Sequence, residues 1–292
     1  ENTSVGQNSA LNTGNNSVNV LLSGDNQVLN SQTDKVIIGN NSFGYVATGQ
    51  NNNIVTGYAG NTGSVTLNTN SVFLYSSDKT GNIINYNHLK SAGNQNYGLI
   101  TAGKLINYGN IDFSSGYGNV GIYSIKGGNA NNTGNITVGK TMEISTPTAS
   151  DPTKTTTYYA IGMAAGYTPE SGTGYTGNIT NAGTINVNGD GGSIGMYGTE
   201  SGTRVINNGT INLRANNSVG MYLDNGAYGE NNGIIQTIGS GLKKVTGVVI
   251  KNGSRFKNNG TVKLDAESAI GLLTKGGPGG ANPGIIENYG TL

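Results

Sequence analysis

One short theme, recurring at a nearly fixed interval, limits what this chain can fold into. Aligned on Asn-x-Gly, the segments NYGNIDF at 107, NTGNITV at 132, NAGTINV at 181, NNGTINL at 207, NNGIIQT at 231, NNGTVKL at 258 and NYGTL at 288 repeat one pattern seven times. Their glycines are 25, 49, 26, 24, 27 and 30 residues apart. The 49-residue step contains a Thr- and Pro-rich insertion, and the others are one period. A second module follows the first: VGIY at 120, IGMA at 161, IGMY at 194, VGMY at 219, TGVV at 246 and IGLL at 270. A period of 20 to 50 residues marks a solenoid, in which each repeat is one supersecondary unit that buries its apolar face only against its neighbours.

Within each module apolar and polar residues alternate, as at Ile185 and Val187 or Ile194 and Met196. Period 2 predicts a strand with one buried face. A third apolar segment precedes each Asn-x-Gly, such as the residues before Asn207 and Asn258, and Asn-Gly pairs at 225 and 252 mark turns on the way to it. Three short strands per turn of about 25 residues predict an all-β chain, a right-handed parallel β-helix. Stacking the turns predicts one interior column of Ile111, Ile136, Ile185, Ile211, Ile235 and Val262, and another of Val120, Ile161, Ile194, Val219 and Ile270. It also stacks Asn107, Asn132, Asn181, Asn207, Asn231, Asn258 and Asn288 in a corner ladder, whose amides can hydrogen-bond along the axis. The glycine two residues later is read as supplying a positive φ at the corner.

A narrow tube of this kind needs few apolar residues. That reconciles the fold with a chain of 292 residues that is 34% hydrophobic, has no Trp, and holds 50 Gly and 45 Asn. Disorder is the rival reading of such a composition, but the many Ile, Val and Thr, the 16 Tyr and a net charge of +1 argue against it. Residues 1–100 keep the period in another dialect, with Gly14 to Gly39 and Gly24 to Gly49 both 25 apart. The organisation read here is 1–100, less regular turns, and 101–292, regular repeats with an inserted loop at 140–159. Length alone suggests 11 or 12 turns and a rod of about 55 Å at roughly 4.8 Å per turn.

Sixteen basic and fifteen acidic residues, singly scattered, offer no footprint for nucleic acid and no polybasic face for a membrane. No apolar run approaches the roughly 18 residues of a spanning helix, so direct insertion into a bilayer is not expected. The absence of Cys suits export into an oxidising exterior. The opening ENTSVGQNSA lacks the charged and apolar regions of a signal peptide, and the last copy stops at NYGTL, so the coil is expected to run on beyond Leu292.

Candidate sites are few. His88 is the sole histidine and no nucleophile motif accompanies it. Asp265 and Glu267 share a strand face, but Lys263 shares it too, which reads as a solvated mixed-charge strand rather than a glycosidase pair. NGDGGSIG at 188 occurs once and reads as a turn rather than a calcium loop. No catalytic residue, metal or cofactor is expected. Tyr123, Tyr197 and Tyr222 follow the second strand at matching positions and face outward on strict alternation. They form either a stripe that stacks on sugar rings or meets a protein, or corner packing between turns, and the apolar residues at that place in other copies favour packing. The insertion, with Tyr158 and Tyr159, and the departure at 166–177, with Tyr167 and Tyr175, form either a recognition bump or an ornamental loop. The binding residues read from sequence are therefore Tyr158, Tyr159, Tyr167, Tyr175, Tyr197 and Tyr222.

The stretches NNGTINL, SVGMYLDNGA, GSGLKKVTGVVIKNGS and NYGLITAGKLINYGNI resemble the passenger region of the very large type V autotransporter adhesins of fusobacteria, the RadD-like proteins. The resemblance spans roughly residues 70–292. It implies a surface-exposed β-helical passenger, exported through a carboxy-terminal barrel, that attaches to protein or glycan receptors on other bacteria or on host cells. Three functions follow as expectations: a non-enzymatic, monomeric adhesin; a structural stalk or folding-promoting segment that displays a distal head; and, least supported, a polysaccharide-degrading enzyme.

Overall fold

The computed structural model describes residues 2–5, 10–33, 35–60, 63–277 and 282–292. Among the described residues, three long sheets of 11, 10 and 10 strands run the length of the chain, and consecutive members of each sheet lie three strands apart in sequence, except across the inserted hairpin, where they lie five apart. One turn illustrates the path. Arg204–Asn207 lies in the first sheet, Thr210–Leu213 in the second and Val219–Asp224 in the third, and Tyr228–Asn231 returns to the first beside Arg204–Asn207. Pairing is parallel throughout the long sheets, with copies in register, as in Asn135↔Thr184, Ile136↔Ile185 and Val138↔Val187. This is the right-handed parallel β-helix, the hand that parallel crossovers adopt almost without exception. The turns number about ten rather than 11 or 12, because the 49-residue step adds one turn and not two. At about 4.8 Å per strand the rod is roughly 48 Å long.

The interior is a narrow apolar tube. Ile111, Ile136, Ile185, Ile211 and Ile235 are fully buried on the second sheet, with Val262 at 2%. Leu29, Ile54, Leu105, Ile179, Val205 and Phe256 form the wall contributed by the first sheet. Bulk is traded between walls: Val205 packs against Gly198, whereas one turn later Leu223 packs against Gly229. Each large residue faces a glycine, so the tube keeps its width at native density.

The third sheet departs from the expected alternation. Its interior residues are Ile122, Met163, Met196, Met221 and Val248, all fully buried in the core. Val120, Ile161, Ile194, Val219 and Ile270, expected inside, lie on the outer face, where Ile270 is 42% exposed. The glycine between the two accounts for the correction. A Cβ on Gly195 would point inward, 2.9 Å from Ile211 Cγ2 and 2.6 Å from the carbonyl oxygen of Gly220. Glycine and the residue after it therefore both face the core, and the residue before it turns out. The same inward glycine recurs at 121, 162, 220 and 247.

The corner glycines also need another explanation. Gly134, Gly183, Gly209, Gly233, Gly260 and Gly290 do not have positive φ. Instead, a Cβ on each would overlap the carbonyl oxygen of the corresponding glycine one turn earlier. Close backbone approach, not handedness, demands glycine there. Positive φ falls in turns elsewhere, at the corner before the third sheet, as at Asn41, Asn70 and Asn217, and in the Asn-Gly turns between the third and first sheets, with Asn225 and Gly226 at 49° and 80° and Asn252 and Gly253 at 47° and 75°, the two left-handed residues of a type I′ turn.

Beside those glycines runs an amide ladder. Asn107 donates to Asn132 at 2.8 Å, Asn132 to Asn181 at 3.0 Å, Asn181 to Asn207 at 2.9 Å, Asn207 to Asn231 at 2.8 Å, Asn231 to Asn258 at 2.9 Å and Asn258 to Asn288 at 2.8 Å. Asn85 and the Thr56 hydroxyl extend it toward the amino terminus. From Asn85 to Asn258 these side chains are fully buried. An amide in that setting must find its partners inside the protein: the amides above and below it, and the carbonyl two residues on, as Asn107 Nδ2 finds Gly109 at 2.8 Å.

Candidate functional site

The three outer faces differ in chemistry. On the first sheet the outward column carries Lys104, Asn129, Asn178, Arg204, Tyr228 and Arg255. On the second it carries Asn135, Thr184, Thr210, Ile234 and Thr261. The third sheet carries two columns of nearly unbroken apolar and aromatic residues. One passes through Phe43, Val72, Tyr97, Val120, Ile161, Ile194 and Val219, the other through Val46, Tyr75, Ile100, Tyr123, Ala164, Tyr197 and Tyr222. A contiguous apolar strip on the wall of such a rod is the feature that marks contact surfaces.

Part of this strip is already covered. Val72, Ile100, Ala102 and Ile125 form a second apolar cluster outside the core, packed beneath Phe43, Tyr75, Tyr97, Tyr123 and Tyr175. Tyr175 comes from the 166–177 excursion. There the Tyr167 and Tyr175 backbones exchange hydrogen bonds of 2.8 and 3.0 Å, and their rings stack at 5.3 Å. The Tyr123 hydroxyl donates to the Gly166 carbonyl at 2.9 Å, and Asn225 Nδ2 donates to the Thr168 hydroxyl at 3.1 Å. The excursion is thereby clamped to the sheet at both levels.

Between this cluster and the carboxy-terminal turns the strip opens into a groove of about 400 Å³ lined by Tyr159, Ile161, Ile194, Tyr197, Tyr222 and Asp224. Ile161 and Ile194 make the floor, supplied by the outward position of the Ile-Gly-Met modules. Tyr197 and Tyr222 pack side by side at 5.9 Å, and half-exposed Tyr159 enters from the end of the insertion. The insertion itself is an antiparallel hairpin, Met142–Ser145 against Thr155–Tyr158, outside the three long sheets. Its last residues set the groove wall: Tyr158 packs against Tyr117, while Tyr159 reaches the groove. Of the tyrosines singled out from sequence, Tyr159, Tyr197 and Tyr222 meet in the groove, Tyr167 and Tyr175 cap the neighbouring cluster, and Tyr158 lies elsewhere.

The groove is electrically quiet apart from its carboxy-terminal end. There Asp224 accepts from Asn252 Nδ2 at 2.6 Å and the Asn225 backbone at 2.9 Å, with Lys251 Nζ 3.8 Å away. That ammonium also sits 5.9 Å over the Tyr222 ring. Burial pushes the Tyr197 phenol up to about 12, against a hydrogen bond from Thr199 that lowers it. Tyr222 is raised for the same first reason, with Lys251 opposing. Tyr197 and Tyr222 therefore stay neutral and offer hydroxyl donors and ring faces.

Other candidates have ordinary partners. His88 Nδ1 accepts the Asn110 backbone N–H at 3.0 Å, linking two turns. Glu267 pairs with Lys243 at 2.8 Å, and the Asp265 backbone is held by the Thr237 hydroxyl at 2.7 Å. A larger hollow of about 540 Å³ lies at the corner between the second and third sheets, lined by Gly and Asn backbone with Lys140, Asp190 and Arg214 of mixed sign. It has no aromatic wall. What the sequence missed is the floor, Ile161 and Ile194, together with Ala164 and Asp224. The signal was present in the recurring order of apolar residue, Gly, apolar residue, broken only by Thr246 among the six modules, but it depends on knowing that the glycine points inward.

Among known families, the model of one described as BigA third pectate lyase-like domain matches residues 1–234. Nothing among curated proteins matches the chain, and nothing among solved structures does.

Proposed function

Since this chain belongs to the BigA third pectate lyase-like domain family, we propose that it is a passenger segment displayed on the bacterial surface and that it acts as a non-enzymatic adhesin. The apolar tyrosine groove on the third sheet is the observation that carries this reading: the outer columns of the first and second sheets are mainly polar, and the third sheet lines a groove with tyrosine rings over an isoleucine floor. A rigid rod with a groove on one wall suits attachment by shape and many weak contacts. The two ornaments of the coil, the hairpin at 142–158 and the excursion at 166–177, flank that groove. Its partners are protein or glycan receptors on other bacteria or host cells, and it works as a monomer outside the outer membrane. The finer placement, among fusobacterial RadD-like autotransporters, rests on the resemblance of NNGTINL, SVGMYLDNGA and related stretches.

The uninterrupted amide ladder and interior columns favour a second reading, a stalk that holds a distal head away from the cell. The family description also keeps polysaccharide cleavage in view, although Glu267 is held by Lys243 rather than paired with Asp265 over a cleft. One set of measurements separates the three. The purified domain should bind target cells and block their adhesion, and Tyr197→Ser with Tyr222→Ser, or deletion of residues 141–157, should abolish or sharply reduce both. A domain that neither binds nor blocks adhesion is a stalk, and one that releases reducing sugar from a glycan panel is an enzyme.

A further inference from the structure

The outer tyrosine column is missing one rung. In register, Tyr123 pairs with Ala164 and Ala164 with Tyr197, so two tyrosines lie two strand spacings apart with a methyl group between them. At roughly 4.8 Å per strand the separation is about 9.6 Å. Elsewhere on this face the rings fill the space: Tyr97 and Tyr123 stack at 6.2 Å, Tyr197 and Tyr222 lie at 5.9 Å. At Ala164 a hollow of about 140 Å³ remains, with Val120, Ile161 and Ala164 beneath and Tyr97, Tyr123 and Tyr197 around it. An apolar cavity of about 150 Å³ accommodates one benzene ring. A ring placed midway would sit about 4.8 Å from each tyrosine, inside the 4.5–7 Å range of aromatic pairing.

We propose that the gap at Ala164 is a slot for one neutral aromatic side chain presented by a protein partner. The choice of an aromatic ring over a sugar follows from the hydroxyls. A pyranose inserted here would bury several hydroxyls, each costly without a partner. Of the wall hydroxyls, that of Tyr123 already donates to the Gly166 carbonyl at 2.9 Å, and the remaining lining is apolar side chain and ring face. No charged side chain lines the slot, so the ring carries no charge. Nor can the partner dock by adding a strand, because the backbone groups along this wall are spent in the parallel ladder. The partner's being a surface protein rests on the adhesin reading; the slot itself does not.

The chain has no Trp, so N-acetyl-tryptophanamide can be followed by its own emission. With the intact domain it should show a saturable blue shift and a rise in anisotropy, with a dissociation constant on the order of millimolar for so small a ligand. A164Y restores the rung found in the adjacent copies and should weaken the probe at least tenfold while keeping the circular dichroism of the parent. A164L fills the hollow without a ring, serves if A164Y misfolds, and should weaken the probe likewise. Methyl β-galactoside should not displace the probe. Unchanged probe affinity in a folded A164Y or A164L, or displacement by the galactoside, overturns the slot. Cell adhesion is read separately: a folded A164Y that loses the probe but adheres like the parent overturns the partner assignment, whereas failure of the parent domain to adhere while it binds the probe defeats only the adhesin reading.

Discussion

Replacing Asn207 by alanine tests the amide ladder where it is fully enclosed. The Asn207 side chain accepts from Asn181 at 2.9 Å and donates to Asn231 Oδ1 at 2.8 Å, to the Gly209 carbonyl at 3.2 Å and, more weakly, to the Ile234 carbonyl at 3.4 Å. Alanine removes all four. Asn181 keeps the Gly183 carbonyl at 3.2 Å as an acceptor, so the loss on that side is one hydrogen bond, about 1 kcal/mol. On the other side Asn231 Oδ1 is deprived of the ladder donor in a fully buried position, which costs about 1–3 kcal/mol. The sum is about 2–4 kcal/mol, with no apolar transfer gained. Asn288→Ala is the internal control: Asn288 is exposed at the ladder's end and accepts only from Asn258 among its amide neighbours, and water can replace it, so about 1 kcal/mol or less is expected. In a solenoid the stability terms are local. Urea unfolding followed by circular dichroism should show the difference, and amide hydrogen exchange should show protection lost in the turns around 181–235 for Asn207→Ala. Equal effects of the two substitutions, or protection lost evenly along the rod, would refute the enclosed-ladder argument.

Two further outcomes follow from the packing. Gly195→Ala places a methyl group 2.6 Å from the Gly220 carbonyl oxygen; overpacking of this kind costs about 1–3 kcal/mol, whereas Gly271→Ala, which meets nothing within 4 Å, should leave the melting temperature within a degree or two of the parent's. For pH, the folded Tyr197 phenol lies at about 12 and the unfolded one near 10.0: its contribution to stability is complete below about 10 and is lost as pH rises through about 12, and Tyr123 shifts in the same direction. Ultraviolet titration of tyrosinate should show a delayed fraction that is released together with unfolding; all 16 tyrosines ionising in one step near 10 would contradict the buried outer cluster.

The repeat was legible because its physics is local and periodic. The spacing of Asn-x-Gly fixed the turn length, and period-2 segments such as Thr184–Val187 named their own buried residues, Ile185 and Val187. The third sheet was not legible in the same way. Ile194 and Met196 both look interior to a rule of alternation, yet an inward glycine between them breaks the period and turns Ile194 out. The corner glycines invite a positive φ, and only the turn below shows that they serve close approach instead.

The sequence by itself determined that short copies stack, how long each is and which isoleucines and asparagines share a column, because every one of those properties is carried by residues a fixed distance apart along the chain. Tertiary structure alone decided which tyrosines meet. Tyr159 reaches Tyr197 and Tyr222 because a hairpin ends beside the third sheet, and Ala164 opens a gap because its neighbours in space, Tyr123 and Tyr197, lie 41 and 33 residues away in sequence. Such a juxtaposition depends on register between turns, and register comes into being only when one turn lies on the next.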